Sequence, residues 1–489
     1  MDAYISNPGK LFIGGEWAEP ATSARADIIS PFSEKKIASV PLAGLADVDR
    51  AVMKARQAFD FGPWPTMTLD KRIEVMQKLS EAFATNRNQI AQTVTAEMGC
   101  PITLSDRIQS NLARTMLDSF IEIARDYPFS ELRRSSTGNG LVLRQPKGVI
   151  AAIVPWNVPM LTAMMKLGPA LLMGCTFILK PAVETALSSF LLAEMLENAG
   201  VPEGVVSILP AGPAESEYLA LHPGIDKITF TGSTAVGERL AVQCGAQLKP
   251  ITLELGGKSA AIFLDDADLE SAVETLRLGS LRNSGQVCSL KTRLLVSRRR
   301  EDELLDRLSN LLSSMPVGDP SDPDVQIGPM ISSRQRDRVE GYIKTAIDEG
   351  ASLVRGGTGR PEHLEHGFFV KPTIFADVQP GSTLAQEEVF GPVLAVTTYE
   401  TVDEAVSIAN NSRYGLNGAV FTADPSYGVS IAQRIKTGTV EINGGGVGFH
   451  CPIGGVKKSG IGREAGREGF DAYTEIKTVG LPTDYATTL

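Results

Sequence analysis

A cysteine at the end of a glycine-containing turn is the first residue in the sequence that could do covalent chemistry. Residues 283–288 read Asn-Ser-Gly-Gln-Val-Cys and end at Cys288. A single cysteine in such a place is more often a small buried hydrophobic residue than a nucleophile. A nucleophile also needs a base and a hydrogen-bond donor that stabilises the negative charge formed during attack. Two other segments of the sequence offer such groups.

Glu254 and Asn157 are the candidates for these two tasks. Glu254 lies in an apolar run directly before a pair of glycines, and burial would raise the pKa of its carboxyl group toward the range of a general base. Pairing with Lys258, or exposure at a strand end, is the simpler interpretation. Asn157 follows Pro155 and Trp156, and its amide could donate a hydrogen bond to an oxyanion. An asparagine in a proline-rich turn is otherwise a turn residue.

The hydrophobic periodicity predicts the elements that would position these residues. Before residue 145, apolar residues at helical spacing predict four helices, at 47–59, 70–87, 89–98 and 105–125. From residue 149 onward, helical patterns alternate with short apolar runs at 149–154, 176–179, 205–209, 227–231 and 251–255. This alternation predicts an α/β fold with a doubly wound parallel sheet, and a similar series after Cys288 predicts a second α/β lobe. Parallel sheets bind ligands at the carboxyl ends of their strands, where Glu254 and Asn157 fall.

The composition narrows the class of protein and its partners. The chain has 489 residues, a formal net charge of -10 and 43% hydrophobic residues, which are values of a globular protein with several domains. Since nucleic-acid binding needs a clustered cationic face, no nucleic-acid partner is predicted. The five cysteines and four histidines are scattered, so neither a disulfide framework nor a metal site is predicted. The odd cysteine count, the absence of a signal-peptide pattern and the absence of a long apolar stretch predict a cytoplasmic protein without a membrane span.

Eight sequence fragments, taken together and in this order, resemble the aldehyde dehydrogenase superfamily. Each fragment is short, but the series covers nearly the whole chain. The fragments are LFIGGEW at 11–17, PWN at 155–157, KPA at 180–182, FTGS at 230–233, ELGGK at 254–258, GQVC at 285–288, EVFGP at 388–392 and PIGGVKKSG at 452–460.

The resemblance implies a domain organisation and an assembly. A Rossmann-like cofactor-binding domain would comprise residues 1–122 and 145–256, and a catalytic domain would comprise residues 257–460. Residues 123–144 and 461–489 would form oligomerisation segments. The protein would accordingly be a homodimer or a homotetramer.

The resemblance also implies roles for the three candidate catalytic residues. Cys288 would attack the aldehyde carbon and form a thiohemiacetal, whose oxyanion Asn157 would stabilise together with the backbone N–H of Cys288. NAD would accept a hydride, which leaves a thioester. Glu254 would then activate a water molecule that hydrolyses the thioester. A thiol suits both halves of this reaction because it attacks well and leaves readily.

A GxxxxG pattern at residues 232–237, after a predicted strand and before a predicted helix, could place backbone N–H groups against a pyrophosphate. The family adds further cofactor contacts. The implied set is Pro155, Trp156, Lys180, Gly232, Ser233, Gly237, Leu255, Gln335, Arg338, Glu388 and Phe390. Val183 stands where many NAD-preferring relatives carry a glutamate, and the following Glu184 is expected to point elsewhere. NADP acceptance is therefore left open beside NAD.

The predicted substrate is a hydrophobic aldehyde of medium-chain, terpenoid or aryl type. By resemblance, its tunnel would be lined by Val158, Met165, Val287, Ser289, residues 447–449 and Ile453. No arginine stands out among these positions to hold a carboxylate, and no aromatic cluster could enclose a trimethylammonium group. A coenzyme A-acylating enzyme and a non-catalytic structural member are the alternatives. The presence of Glu254 disfavours the first, and the intact catalytic set disfavours the second.

Overall fold

The computed structural model describes residues 5–482. Its helices are α1 (Leu45–Asp60), α2 (Leu69–Thr85), α3 (Arg87–Met98), α4 (Ile102–Leu104), α5 (Ala113–Arg125), α6 (Pro159–Met173), α7 (Ala186–Ala199), α8 (Pro213–Leu221), α9 (Thr234–Ala246), α10 (Leu269–Gly279), α11 (Glu301–Ser313), α12 (Ser333–Asp348), α13 (Thr383–Gln386), α14 (Val402–Asn410), α15 (Pro425–Ala432) and α16 (Gly466–Asp471).

The strands form four sheets. They are β1 (Leu11–Ile13), β2 (Glu16–Ala18), β3 (Arg25–Ile29), β4 (Lys36–Pro41), β5 (Ser130–Ser135), β6 (Gly138–Pro146), β7 (Val149–Ile153), β8 (Thr176–Lys180), β9 (Val206–Ile208), β10 (Lys227–Thr231), β11 (Ile251–Glu254), β12 (Ser259–Phe263), β13 (Lys291–Ser297), β14 (Ser352–Arg355), β15 (Thr373–Ala376), β16 (Val393–Tyr399), β17 (Gly418–Phe421), β18 (Glu441–Ile442), β19 (Gly460–Ile461) and β20 (Thr474–Leu481).

The largest sheet has eight strands in the order β19-β11-β10-β7-β8-β9-β1-β2. Its strands from β11 to β9 are parallel, and the register pairs Thr231 with Glu254 and Ile153 with Lys180. Alternate residues of these strands belong to two separate hydrophobic clusters, so helices cover both faces of the sheet. The predicted doubly wound parallel sheet is confirmed. Its parallel register brings the carboxyl ends of β7, β8, β10 and β11 to one edge.

The second sheet has seven strands in the order β14-β15-β16-β13-β12-β17-β18. Its pairings are parallel except that of β14 with β15. The interior strand β12 begins five positions after Glu254, the last residue of β11, so a short glycine-containing connection joins the two sheets. Glu254 therefore sits where the chain crosses from one sheet to the other, and β13 begins shortly after Cys288.

A third sheet of three strands, in the order β20-β6-β5, joins residues 130–146 with residues 474–481. These strands overlap the two predicted oligomerisation segments, of which residues 483–489 lie outside the described residues. Residues 1–4 of the predicted cofactor-binding domain also lie outside them. The domain boundaries and the assembly stay predictions.

The predicted helix at 105–125 is two elements, a π-helix at Ser105–Leu112 followed by α5. The wider π turn places Gln109 so that its side-chain oxygen accepts a hydrogen bond from the Met160 N–H at 3.2 Å. This bond satisfies an N–H group at the start of α6. Within residues 5–482, no helix has both the length and the apolar composition of a membrane span.

Candidate active site

A cavity of about 760 Å³ lies at the carboxyl edge of the eight-stranded sheet and brings the predicted site residues together. Asn157, Glu254 and Cys288 all line it. Of the residues expected to bind the cofactor, it is lined by Pro155, Trp156, Lys180, Gly232, Ser233, Leu255, Gln335, Arg338, Glu388 and Phe390. The volume falls within the range of about 300–1,000 Å³ that small-molecule and cofactor sites occupy.

The turn before Cys288 has an unusual backbone. Asn283, Ser284 and Gly285 have φ values of 50°, 57° and 79°, in the left-handed region. For the two residues with side chains this conformation is strained, at a cost of about 1–3 kcal/mol each. The Ser284 hydroxyl donates to the Gly328 carbonyl oxygen at 2.9 Å, and the Gln286 side-chain oxygen accepts from the Ile331 N–H at 3.0 Å. These bonds hold the turn that delivers Cys288 to the cavity wall.

The glycine in this turn is required by its surroundings. At Gly285 a Cβ atom would overlap the carbonyl oxygen of Gly391, besides the positive φ. The segment containing Gly391 follows Glu388 and Phe390, which line the cavity. The close approach therefore fixes the nucleophile turn against the segment that would hold the cofactor.

The Asn157 side chain uses one of its two amide hydrogens in a hydrogen bond within the protein. It is 5% exposed, and its Nδ2 donates to the backbone oxygen of Gln286 at 2.9 Å. The Asn283 side chain in turn donates to the backbone oxygen of Asn157 at 3.2 Å. Because an amide group carries two hydrogens, one remains for an oxygen atom in the cavity. The two bonds also tie the end of β7 to the turn before Cys288.

Cys288 is half-buried, and the charges around it disfavour its thiolate form. Burial, together with the nearby Glu388 and Glu254 carboxylates, raises the pKa of the Cys288 thiol to about 12. The Arg282 guanidinium opposes this rise. The other cysteines at the core, such as Cys100, are fully buried. Cys288 therefore favours the protonated thiol form at the cavity wall, and the charged side chains around it shift its pKa.

Glu254 carries a carboxylate without a fixed partner. Its Oε1 is buried and has no hydrogen-bond partner within residues 5–482, and an added Cβ at Gly454 would lie only 2.6 Å from it. Burial raises the pKa of Glu254 well above its ordinary value, and the Glu464 carboxylate adds to the rise while Lys166 opposes it. Lys166 and Glu464 form a buried ion pair. The pairing of Glu254 with Lys258 that the sequence left open is not present, and the environment suits a proton acceptor.

Glu388 closes the other side of the cavity. Its Oε1 accepts a hydrogen bond from the Gly257 N–H at 3.0 Å, and burial raises the pKa of its carboxyl group to about 7. At Gly256 a Cβ atom would overlap the Glu388 carboxylate, and at Gly257 it would lie 2.5 Å from the Cys288 carbonyl oxygen. The glycine pair is therefore needed because a carboxylate and a backbone pack directly onto it.

Gln335 and Arg338, both on α12, hold the segment that contains Glu388. The Gln335 side chain donates to the Phe390 carbonyl oxygen at 2.9 Å, and Arg338 donates to the Glu388 carbonyl oxygen at 3.1 Å. The Phe390 ring meets the Trp156 ring edge to face, with centroids 5.5 Å apart. The two lobes therefore contact each other across the cavity through the rings of Trp156 and Phe390. The hydrogen bond from Gln335 fixes the backbone of Phe390.

The N-terminus of α9 fits the phosphate groups of a dinucleotide. Gly232 and Ser233 line the cavity, and Ser233 occupies the N-cap position without using its side chain to cap the helix. The first N–H groups of α9 are thus left for a ligand, in the positive end of the helix dipole. Gly237 does not line the cavity, and its contact with the cofactor stays a prediction. It packs behind Leu255, where a Cβ would overlap the leucine side chain.

Several lining residues were not found from the sequence. Glu184 was expected to point elsewhere, but it lines the cavity beside Val183, because both lie on the short helical turn Val183–Thr185. Arg239 and Glu217 also line the cavity, and their side chains form an ion pair at 3.2 Å. Arg239 and Glu217 lie about one turn after the starts of α9 and α8. Because both helices begin at the cavity edge, these positions could have indicated that the two residues line the cavity.

Helix α6 begins two residues after Asn157 and carries apolar side chains that are not fully buried. All of its residues are buried except Leu161 and Met165, which lie one turn apart and are half-buried. We call these two residues the open face of α6. Phe449 and Ile453 are likewise half-buried and pack on the same hydrophobic cluster. All four of these side chains are apolar and partly accessible to solvent. No set of three metal-ligating side chains is assembled within residues 5–482.

Comparison with known proteins identifies the kind of protein that carries this site. The chain is 42% identical to the geranial dehydrogenase of Castellaniella defragrans over 472 residues, which cover 96% of this chain and 98% of that protein. The structure of a Mycobacterium tuberculosis aldehyde dehydrogenase complexed with NAD+ superposes with a TM-score of 0.96 at 46% identity, covering 98% of this chain and 99% of that chain.

A cysteine-to-alanine mutant of aldehyde dehydrogenase C from Pseudomonas syringae, complexed with NAD+ and octanal, superposes with a TM-score of 0.94 at 36% identity. The match covers 98% of each chain. The sequence model of the aldehyde dehydrogenase family matches residues 17–479. A match of this extent, on a fold that assembles a cysteine, a glutamate and an asparagine at one cavity, shows that the chain belongs to the aldehyde dehydrogenase family.

Proposed function

We propose that this protein oxidises an aldehyde to the carboxylic acid with NAD+, through a covalent intermediate on Cys288. The observation that supports this proposal is that Cys288, Glu254 and Asn157 come from separate parts of the chain and line one cavity. The same cavity contains the N-terminus of α9, which suits a dinucleotide. The presence of Glu254 in the wall favours water over coenzyme A as the acyl acceptor, and the complete set argues against a non-catalytic role.

Each of the three residues has a task in this reaction. The Cys288 thiol gives up its proton to solvent water, and its sulfur attacks the aldehyde carbon and forms a C–S bond. The free amide hydrogen of Asn157 and the Cys288 N–H stabilise the oxygen anion. NAD+, when bound, accepts the hydride from that carbon. The acyl group then remains on the sulfur as a thioester. Glu254 takes a proton from a water molecule, whose oxygen attacks the thioester and releases the acid and the thiol.

The cofactor assignment has two kinds of support. The chain's own residues provide an uncapped helix N-terminus and a buried carboxylate fixed at Glu388. The two similar solved structures described above contain NAD+. The residues that would hold the nucleotide are Lys180, Gly232, Ser233, Gln335, Arg338, Glu388 and Phe390.

The preferred substrate is proposed to be a hydrophobic aldehyde. The open face of α6, with Phe449 and Ile453, would form an apolar wall for the substrate, since these side chains are partly accessible and pack on one hydrophobic cluster. Burial of apolar surface contributes about 25 cal/mol per Å². The similar proteins point the same way, since one is named for geranial and another was solved with octanal.

A panel of aldehydes tests the proposed function. NADH formation is to be followed with acetaldehyde, hexanal, benzaldehyde, geranial, succinic semialdehyde and betaine aldehyde. We expect the highest kcat/KM with the apolar members, because the wall described above excludes water from their chains. A higher value for acetaldehyde or for either charged substrate would contradict the substrate class, and the absence of NADH formation with every aldehyde would contradict the function.

Cofactor preference gives a further prediction. Val183→Glu should weaken NADP+ binding by at least about tenfold and NAD+ binding far less, because a new carboxylate would repel the 2′-phosphate. Glu184→Gln is the matched variant, because it removes a neighbouring carboxylate and should favour NADP+. Calorimetric titration of both nucleotides measures the change. Equal changes for both nucleotides would show that this turn does not face the adenosine ribose.

The surface of the three-stranded sheet and the state of the cysteines bear on assembly and location. We propose a homodimer or a homotetramer that uses the three-stranded sheet, because Ile476 and Val479 are exposed on its strand β20. A cytoplasmic location is consistent with five cysteines that are all free thiols.

A further inference from the structure

Helices α8 and α9 each turn one face toward the cavity. On both helices the lining residues are spaced i, i+3 and i+4, which places them on one side of the helix. They are Pro213, Ser216 and Glu217 on α8, and Val236, Arg239 and Leu240 on α9. We call these six residues the α8–α9 cleft. Three of them are apolar and two are charged, so the cleft suits a flat group with apolar faces and a polar edge.

The α8–α9 cleft lies away from Cys288 along the edge of the eight-stranded sheet. Cys288 belongs to the end at β11, because its carbonyl oxygen packs against Gly257, shortly after that strand. Helix α8 begins after β9, which is separated from β11 by four strand spacings of about 4.8 Å. A dinucleotide with its nicotinamide at Cys288 and its phosphates at the N-terminus of α9 would therefore extend its adenosine toward this cleft.

Glu217 and Arg239 join the two helices at the polar side of the cleft. The Arg239 Nη2 atom lies 3.2 Å from the Glu217 Oε2 atom, and Gln243 donates a hydrogen bond to the Glu217 Oε1 atom. Two donors thus orient the carboxylate. A guanidinium group has five N–H donors and each carboxylate oxygen accepts more than one hydrogen bond, so both side chains keep capacity for a ligand. The pair presents an acceptor directly beside a donor.

We propose that Glu217 and Arg239 recognise the edge of the adenine base of the bound dinucleotide. Adenine carries an amino group, which donates, beside a ring nitrogen, which accepts. Glu217 would accept a hydrogen bond from the 6-amino group, and Arg239 would donate one to the adjacent ring nitrogen. The faces of the base would pack between Pro213 and the apolar side chains of α9. The proposal rests on the proposed function and adds selection of the base to the cofactor site.

This arrangement should discriminate against a base that carries an oxygen in place of the amino group. In hypoxanthine a carbonyl oxygen would face the Glu217 carboxylate, so the hydrogen bond is lost and two acceptors oppose each other. The side chains of Glu217 and Arg239 are 31% and 55% exposed, and solvent weakens the effect. We therefore expect a preference of about tenfold for adenine, at the lower end of the range for a hydrogen bond to a charged group.

Two dinucleotides that differ in this single group test the proposal. The dissociation constants of NAD+ and nicotinamide hypoxanthine dinucleotide are to be measured by calorimetry, and kcat/KM for each nucleotide is to be measured with octanal. The wild-type protein should bind NAD+ about tenfold more tightly. In Glu217→Gln this ratio should fall toward one, because a glutamine amide can donate to the oxygen as well as accept from the amine. Arg239→Met should also lower the ratio, since Glu217 loses one of its two orienting donors.

Glu215→Gln is the matched control. Glu215 is on the same helix and its replacement removes the same charge, but it does not line the cavity. Its ratio should equal that of the wild-type protein. The ratio is the measured quantity because a general loss of affinity cancels between two nucleotides bound to one variant.

The outcomes separate this proposal from the function on which it rests. If the wild-type protein binds both dinucleotides equally, the proposal is overturned and the function stands. A preference that survives in Glu217→Gln overturns the role of Glu217, and one that is unchanged in Arg239→Met overturns the role of the pair. An equal loss in Glu215→Gln would assign the preference to the overall charge of α8 and overturn the proposal. If neither dinucleotide binds, the proposed function itself fails. The wild-type comparison needs no variant, so poor folding of a variant leaves the first test intact.

Discussion

Replacing Cys288 by alanine is expected to abolish aldehyde oxidation, with a loss of at least about 10⁴-fold in kcat. Without the sulfur no C–S bond forms with the aldehyde, and neither Asn157 nor Glu254 can replace it as a nucleophile. Dinucleotide binding should persist, because Ser233, Glu388 and the N-terminus of α9 do not contact the thiol. NADH formation and calorimetric binding of NAD+ measure the two quantities separately.

Cys451→Ala is the matched control for this variant. Cys451 is exposed and does not line the cavity, whereas Cys100, Cys175 and Cys244 are buried. The control should keep full activity and remain sensitive to inactivation by iodoacetamide at Cys288. Measurable turnover in Cys288→Ala, or inactivation that disappears in Cys451→Ala, would assign the nucleophile to another residue.

The parallel sheet could be predicted from the sequence because each strand is a short apolar run flanked by helical periodicity. In a parallel sheet the carboxyl ends of the strands lie at one edge. Glu254 and Asn157 fall at such strand ends in the sequence, so they could be placed at the cavity edge. Strand β12 was not predicted, although it is an interior strand of the second sheet. Its sequence, Ser-Ala-Ala-Ile-Phe, has small residues that carry little hydrophobic signal. Its position is fixed by pairing with β13 and β17, which no local pattern reveals.

The features of the site that escaped prediction depend on contacts between distant residues. The left-handed backbone at Asn283 and Ser284 is stabilised by hydrogen bonds to residues more than forty positions away, so the local sequence does not specify it. Gly237 matched the expected spacing, yet it packs against the Leu255 side chain, while Val236, Arg239 and Leu240 of the same helix line the cavity.

Glu254→Gln is expected to separate the two halves of the reaction. The variant should still form the thioester and release one equivalent of NADH per active site in a rapid burst. Steady-state turnover should then be about 10²–10⁴-fold slower, because glutamine cannot take the proton from the attacking water. Rapid-mixing absorbance measures the burst, and mass spectrometry of the acid-quenched protein should show the acyl group on Cys288. An unchanged steady-state rate would remove Glu254 from this role.

The pH dependence provides an independent test of the same residue. Burial and Glu464 raise the pKa of Glu254, so the wild-type hydrolysis rate should increase with pH as this carboxyl group ionises. Glu254→Gln should lose that increase.

The Glu254 carboxylate also raises the pKa of Cys288, so its neutralisation in Glu254→Gln should lower the thiol pKa. The burst should then be faster than in the wild-type protein at pH values where the wild-type Glu254 is ionised, and unchanged where it is already protonated. A slower burst in Glu254→Gln would show instead that Glu254 takes the proton of the Cys288 thiol during attack. The two halves of the reaction would then share one base, and the direction of the change in burst rate decides between these mechanisms.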